Sequence, residues 1–100
     1  MNKVRLKTKY LPEGEYELCW DRYLNGNGRS LRIEKDGKFE IMASINVEGI
    51  SCSLKDNLIL LKGWGENKGL PEALEDAGIV KLTGNKVKTG VCYALEAEII

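Results

Sequence analysis

Apolar and polar positions alternate with a period of two along much of the first half of this chain, the spacing that sends successive side chains to opposite faces of a strand. Residues 3–10, KVRLKTKY, set Val4, Leu6, Thr8 and Tyr10 against Lys3, Arg5, Lys7 and Lys9. From Glu15, EYELCWDRYL sets Tyr16, Leu18 and Trp20 against Glu15, Glu17, Cys19 and Asp21. Between them lies LPEGE. Pro12 presets φ for a turn and Gly14 can adopt the left-handed conformation, which predicts a three-residue hairpin loop. In that register Arg5 faces Asp21, Lys9 faces Glu17, Leu6 faces Trp20 and Thr8 faces Leu18. The basic stripe then becomes an ion-paired solvent face, since opposite charges across a strand pair are favourable.

The alternation continues. NGNG at residues 25–28 joins the second strand to SLRIEK, whose Leu31 and Ile33 point inward, and Asp36-Gly37 is a strong hairpin signal. KFEIMASINV places Phe39, Ile41, Ala43, Ile45 and Val47 on one face, and ISCSL and LILLKGW supply further short strands. One helix is predicted over residues 71–77. Pro71 suits its first position, Glu72 complements its N-terminal dipole, and Gly78 fits the residue beyond its end. So short a helix is not stable unaided, so Leu70, Ala73, Leu74 and Ala77 must dock on the sheet. IVKL, a turn at TGNK, and VCYALEAEII complete the pattern, the last with Val91, Tyr93, Leu95, Ala97 and Ile99 on one face. Tight turns between successive strands imply antiparallel neighbours. The expected fold is α+β: a single β-rich domain over residues 1–100, a mostly antiparallel twisted sheet or partial barrel of six to eight strands carrying one short α-helix.

Composition narrows the function classes. Fifteen basic and fifteen acidic residues cancel, so no global field draws in nucleic acid or an anionic membrane. No apolar run approaches the length of a membrane span, and the N-terminal residues lack the apolar stretch of a signal peptide; a cytoplasmic protein is the expectation. The chain has no histidine, which removes His-based acid–base and nucleophilic catalysis. Cys19, Cys52 and Cys92 lack metal-ligand spacing and read as reduced thiols filling the core. No metal, cofactor or catalytic residue is expected.

Three stretches compete as sites. GWGENKG at residues 63–69 precedes the helix, but its glycine spacing and the position of Lys68 do not match a phosphate-binding loop. Glu66 and Glu72 also place negative charge there, so the stretch reads as a strand-to-helix corner on which Trp64 packs. Its Trp64, Glu66, Asn67 and Lys68 are nonetheless candidate partner-binding residues. Arg22, Tyr23, Arg29, Arg32, Lys35 and Lys38 gather on the hairpin of residues 22–38. Protein recognition through Arg22, Tyr23, Arg29 and Arg32 is the leading reading of that hairpin, and a nucleic-acid grip is the alternative. A small enzyme using Glu66 or Lys68 is a third class. The acid sets Glu13, Glu15, Glu17 and Glu72, Glu75, Asp76 lack an evident apolar pocket to perturb them.

The run RYLNGNGRSLRI, then ASINVEG, then ENKGLPEALEDAGIVKLTGNKVKTGV resembles a small uncharacterised family of bacterial and phage proteins, domain of unknown function 4313. The matching positions are Tyr23, Asn25, Leu31 and Ile33, then Ile45, Asn46 and Val47. Glu66, Asn67, Gly69, Ala77 to Val80, Thr83, Gly84, Val87, Thr89 and Gly90 follow. They cover about three quarters of the chain, while the first twenty residues and VCYALEAEII depart from the family pattern. The resemblance implies no activity. It implies a setting, the accessory genes of phages and mobile elements. The expectation is a non-enzymatic accessory protein that binds a protein partner, one version being inhibition of a host defence system. Self-association through open sheet edges is a further expectation.

Overall fold

The computed structural model describes residues 3–23, 28–47, 49–51 and 54–100. Among these, seven strands and one short α-helix follow in order: β1 (Lys3–Leu6), β2 (Gly14–Arg22), β3 (Arg29–Lys35), β4 (Lys38–Met42), β5 (Leu58–Leu61), α1 (Leu70–Asp76), β6 (Val80–Thr89) and β7 (Cys92–Ile99). A 3₁₀ turn (Gly65–Asn67) leads into α1. The first four strands form an antiparallel meander in chain order, and the rest form a second antiparallel sheet in the order β5-β7-β6. The chain leaving β4 joins the two. Ser44 bridges Leu61, the Ile45 N–H donates to the Leu60 carbonyl (3.1 Å), and the Lys62 N–H donates to the Ala43 carbonyl (2.9 Å). The α+β expectation holds.

One core unites both sheets and the helix. Val4, Leu6, Tyr16, Leu18, Leu31, Ile33, Ile41, Ile59, Leu61, Val80 and Ala97 pack together, closed over by Leu70 and Leu74 of α1. At about 25 cal/mol per Å² of buried apolar surface, each such Leu or Ile contributes roughly 2 kcal/mol. The helix lies within one residue of its predicted span. Its N-cap, Gly69, sits at φ 86°, and Gly78 at φ 77° closes its end, with the Ile79 N–H reaching back to the Leu74 carbonyl (3.0 Å). Ala77, expected to dock, is exposed. The Asp36-Gly37 hairpin is as predicted, with both residues at positive φ between the paired Lys35 and Lys38.

Other expectations are corrected. Pro12 to Gly14 is no hairpin loop, and Gly14 is a β2 residue opposite Leu6. β1 stops at Leu6 because the Thr8 hydroxyl accepts the N–H groups of Tyr10 (3.2 Å) and Leu11 (3.0 Å), folding the chain so that Leu11 is buried. The Tyr16 hydroxyl then donates to the Pro12 carbonyl (2.6 Å). Arg5 thus lies opposite Glu15 rather than Asp21. The displacement is even, so Val4 and Leu6 stay inward. The stripe still pairs with acids, through Lys3–Glu15 (3.8 Å) and Arg5–Glu13 (3.7 Å). Tyr10, beyond the strand, is exposed and Thr8 half-buried.

Two bulges overturn simple alternation. In β4 an extra residue lies between the Ile33–Ile41 and Glu34–Phe39 pairs, so Ile41 points inward while Phe39 is 59% exposed on the outer face. In β6 the predicted TGNK turn is instead a bulge inside one long strand. Gly84 at φ 91° permits it, and Glu96 holds it by accepting from the Thr83 hydroxyl (2.8 Å) and the Asn85 amide (3.0 Å). The chain reverses later, at Gly90-Val91 between the paired Thr89 and Cys92. Val91 is therefore a hairpin tip, 97% exposed, and Tyr93 is exposed as well. ISCSL is not a strand among its described residues: Ile50 lies in a turn and Ser51 in a 3₁₀ turn. Cys19 and Cys92 are half-buried rather than core. Cys52, and Asn25, Gly26 and Asn27 of the NGNG turn, lie outside the described residues.

Candidate functional site

The register of β2 and β3 decides which predicted residues meet. Leu18–Ile33, Trp20–Leu31 and Arg22–Arg29 are opposite pairs, so these six side chains share the inward face. The core ends at Trp20, and the same face runs on past it as two arginines. Arg32 has the other parity, opposite Cys19 on the outer face.

Asp56, from the turn before β5, closes over the arginine pair. Its carboxylate accepts from Arg22, and Arg29 donates to the Asp56 carbonyl (3.3 Å) and pairs with its carboxylate (3.9 Å). The Arg22 hydrogen bond and charge, with a smaller contribution from Arg29, hold the Asp56 carboxyl below its usual range. The Arg29 guanidinium also lies over the Trp20 ring, 5.7 Å from its centroid, a cation–π geometry.

Two hollows adjoin this stack. One, of about 220 Å³, is lined by Trp20 and Arg29 together with Leu18, Ile79, Ile99 and Ile100. The other, of about 320 Å³, lies among Trp20, Asp21, Arg22 and Arg29. Sharing Trp20 and Arg29, they form one surface groove with a cationic rim. The first hollow is of a size for one side chain, and an incoming carboxylate would have to displace Asp56 from the arginines. Trp20, Asp56, Ile79 and Ile99 were not singled out as site residues from the sequence. Trp20 has the parity of a core residue, and Asp56 belongs to a KDN turn whose neighbours in space are remote in sequence. The available signal was the shared parity of Trp20 and Arg22, which carries an aromatic–arginine face beyond the core.

The remaining candidates line neither of these two hollows. Tyr23 shares a 2.7 Å hydrogen bond with Ser44, whose hydroxyl also accepts the Leu31 N–H (2.9 Å), and burial pushes the Tyr23 phenol up against the lowering effect of that bond. Arg32 donates to Glu34 (2.6 Å). Lys35 lies over the Tyr16 ring (4.6 Å) and donates to the Glu15 carbonyl (3.1 Å), at the opposite end of β3 from Arg29. The cations of the 22–38 hairpin are therefore split between faces and ends of the sheet and do not form one cationic surface.

The GWGENKG stretch is a corner. Gly65 and Gly69 have φ of 60° and 86°, and the 3₁₀ turn between them buries Asn67, whose amide donates to the Met42 carbonyl (2.7 Å). Trp64 is half-buried, and Glu66 and Lys68 are exposed. This corner leads into the first turn of α1, whereas the Trp20 groove is lined by Gly78 and Ile79 beyond its last turn. The two candidate sets are not one site. No helix among the described residues is long and apolar enough to cross a membrane. Compared with protein-family models, curated proteins and solved structures, the chain gives no match.

Proposed function

We propose that this chain is a non-enzymatic binding module that occupies a surface of a protein partner through the Trp20–Arg22–Arg29 groove. The observation that carries this is the meeting of a tryptophan and two arginines, bridged by Asp56, beside a hollow bordered by Leu18, Ile79 and Ile99. Tryptophan and arginine dominate binding energy at protein interfaces, where an apolar anchor enters a desolvated pocket and charges fix its orientation. In the mobile-element setting that the family resemblance implies, the partner is a host protein, and occupying its surface blocks a defence function.

The test is capture from bacterial host lysate with wild-type protein and an Arg22→Glu/Arg29→Glu variant whose fold is verified by circular dichroism. One partner should be recovered in stoichiometric amount by the wild type and lost with the variant. Equal recovery by both proteins refutes the groove. No partner at all, together with turnover of a small molecule by the purified protein, refutes the binding module.

A further inference from the structure

The second sheet ends in an edge that is closed over one half and open over the other. β6 is outermost in the order β5-β7-β6. Near its start the Leu82 N–H donates to the Glu75 carboxylate of α1 (2.8 Å), so an acidic side chain already caps the edge there. Beyond the Gly84 bulge, residues 86–89 pair, among the described residues, only with β7. Thr89 and Cys92 flank a two-residue turn and so form a hydrogen-bonded pair. Alternation along the ladder then turns the backbone groups of Lys88 and Lys86 away from β7, toward solvent.

The chemistry around this open half is one-sided. Lys86 and Lys88 share a face with Leu95 and Tyr93, neither lysine makes an ion pair with a described residue, and no acid occurs in residues 86–95. At the bulge, a hollow of about 180 Å³ opens among Leu82, Gly84, Asn85, Lys86, Leu95 and Glu96. A second copy of the chain pairing here antiparallel would set lysine against lysine, which is unfavourable for directly opposed strand neighbours.

We propose that the open half of β6 accepts an extended acidic segment of a partner protein as an added strand. Its backbone completes the ladder at Lys86 and Lys88, alternate acidic side chains lie over the two lysines, and an apolar side chain at one end enters the Leu82–Leu95 hollow. Main-chain hydrogen bonds supply affinity in this mode and alternate side chains supply specificity. The surface is separate from the Trp20 groove and does not depend on it.

The experiment is a titration of ¹⁵N-labelled protein with a capped peptide of sequence Glu-Val-Glu-Val-Leu, and with its counterpart carrying lysine for glutamate. The acidic peptide should give saturable shifts at the amides of residues 86–89 and at Leu82 and Leu95. It should bind roughly tenfold tighter than the lysine peptide, the size expected of two cross-strand charge pairs changed from attraction to repulsion. Lys86→Glu/Lys88→Glu, exposed positions whose fold is read from the same spectra, should reverse the preference. Arg22→Glu/Arg29→Glu should leave it unchanged, which separates this surface from the groove. Three outcomes overturn the proposal: no saturable shift at millimolar peptide, equal affinity for both peptides, or concentration-dependent self-association through β6 in their absence.

Discussion

Replacing Asn67 by alanine tests whether the glycine-rich stretch is a corner or a binding loop. Asn67 is 2% exposed and its amide donates to the Met42 carbonyl at 2.7 Å, tying the turn before α1 to the end of β4. The substitution removes the donor and leaves that carbonyl facing an apolar side chain. A buried acceptor deprived of its partner costs about 1–3 kcal/mol. A domain of this size loses roughly 4–8 °C of Tm per kcal/mol, so a fall of several degrees or more is expected, with the urea m-value unchanged. Asn67→Asp should be worse at neutral pH, because a buried carboxylate opposes the carbonyl. Its folded-state pKa is then raised, so the extra loss is present at high pH and recovers as pH falls and the protonated acid can donate. Exposed Glu66→Ala and Lys68→Ala should stay within about 0.5 kcal/mol of wild type. Urea unfolding followed by tryptophan fluorescence reads all four. An Asn67→Ala protein as stable as wild type would sink the corner argument.

Three further outcomes follow from the geometry. Gly84→Ala should cost about 1–2 kcal/mol, because φ of 91° is strained for an L side chain although space is free, whereas Gly63→Ala, with ordinary contacts of 3.6 Å and no positive φ, should be nearly neutral; thermal unfolding of the pair checks this. The Asp56 carboxyl is held low in the folded state by Arg22, so its contribution is present above the unfolded-state pKa and lost as pH falls through the depressed folded value; Asp56→Asn should flatten the acid limb of stability between about pH 5 and 2 in urea midpoints taken across that range. The Cys19 thiol is pushed up by burial and then by Glu34, opposed by Arg32, so Glu34→Gln should speed its alkylation by roughly two- to fivefold near pH 8, measured by peptide mass spectrometry.

Much of the architecture was legible because burial on a strand repeats every two residues, and a helix end announces itself by proline and glycine. The inward sets Leu18–Trp20 and Leu31–Ile33, the Asp36-Gly37 hairpin and α1 were all readable in this way. Where the period failed, a bulge or side-chain hydrogen bond had intervened. The Thr8 hydroxyl ends β1, the extra β4 residue turns Phe39 outward, and Glu96 with Asn85 keeps the chain in β6 where TGNK suggested a turn. The groove was legible only in part: Arg22 and Arg29 were candidates, but Trp20 resembled any core residue and Asp56 any turn residue.

Local sequence, then, determined most of the element types, the neutral charge and which arginines were available, because alternation and turn chemistry act over a few residues. The tertiary structure alone decided register, the two bulges, the burial of Asn67 and the meeting of Arg22, Arg29 and Asp56. Those outcomes depend on contacts between segments far apart in the chain, where several pairings keep the same inward faces. Only packing of the whole core selects among them.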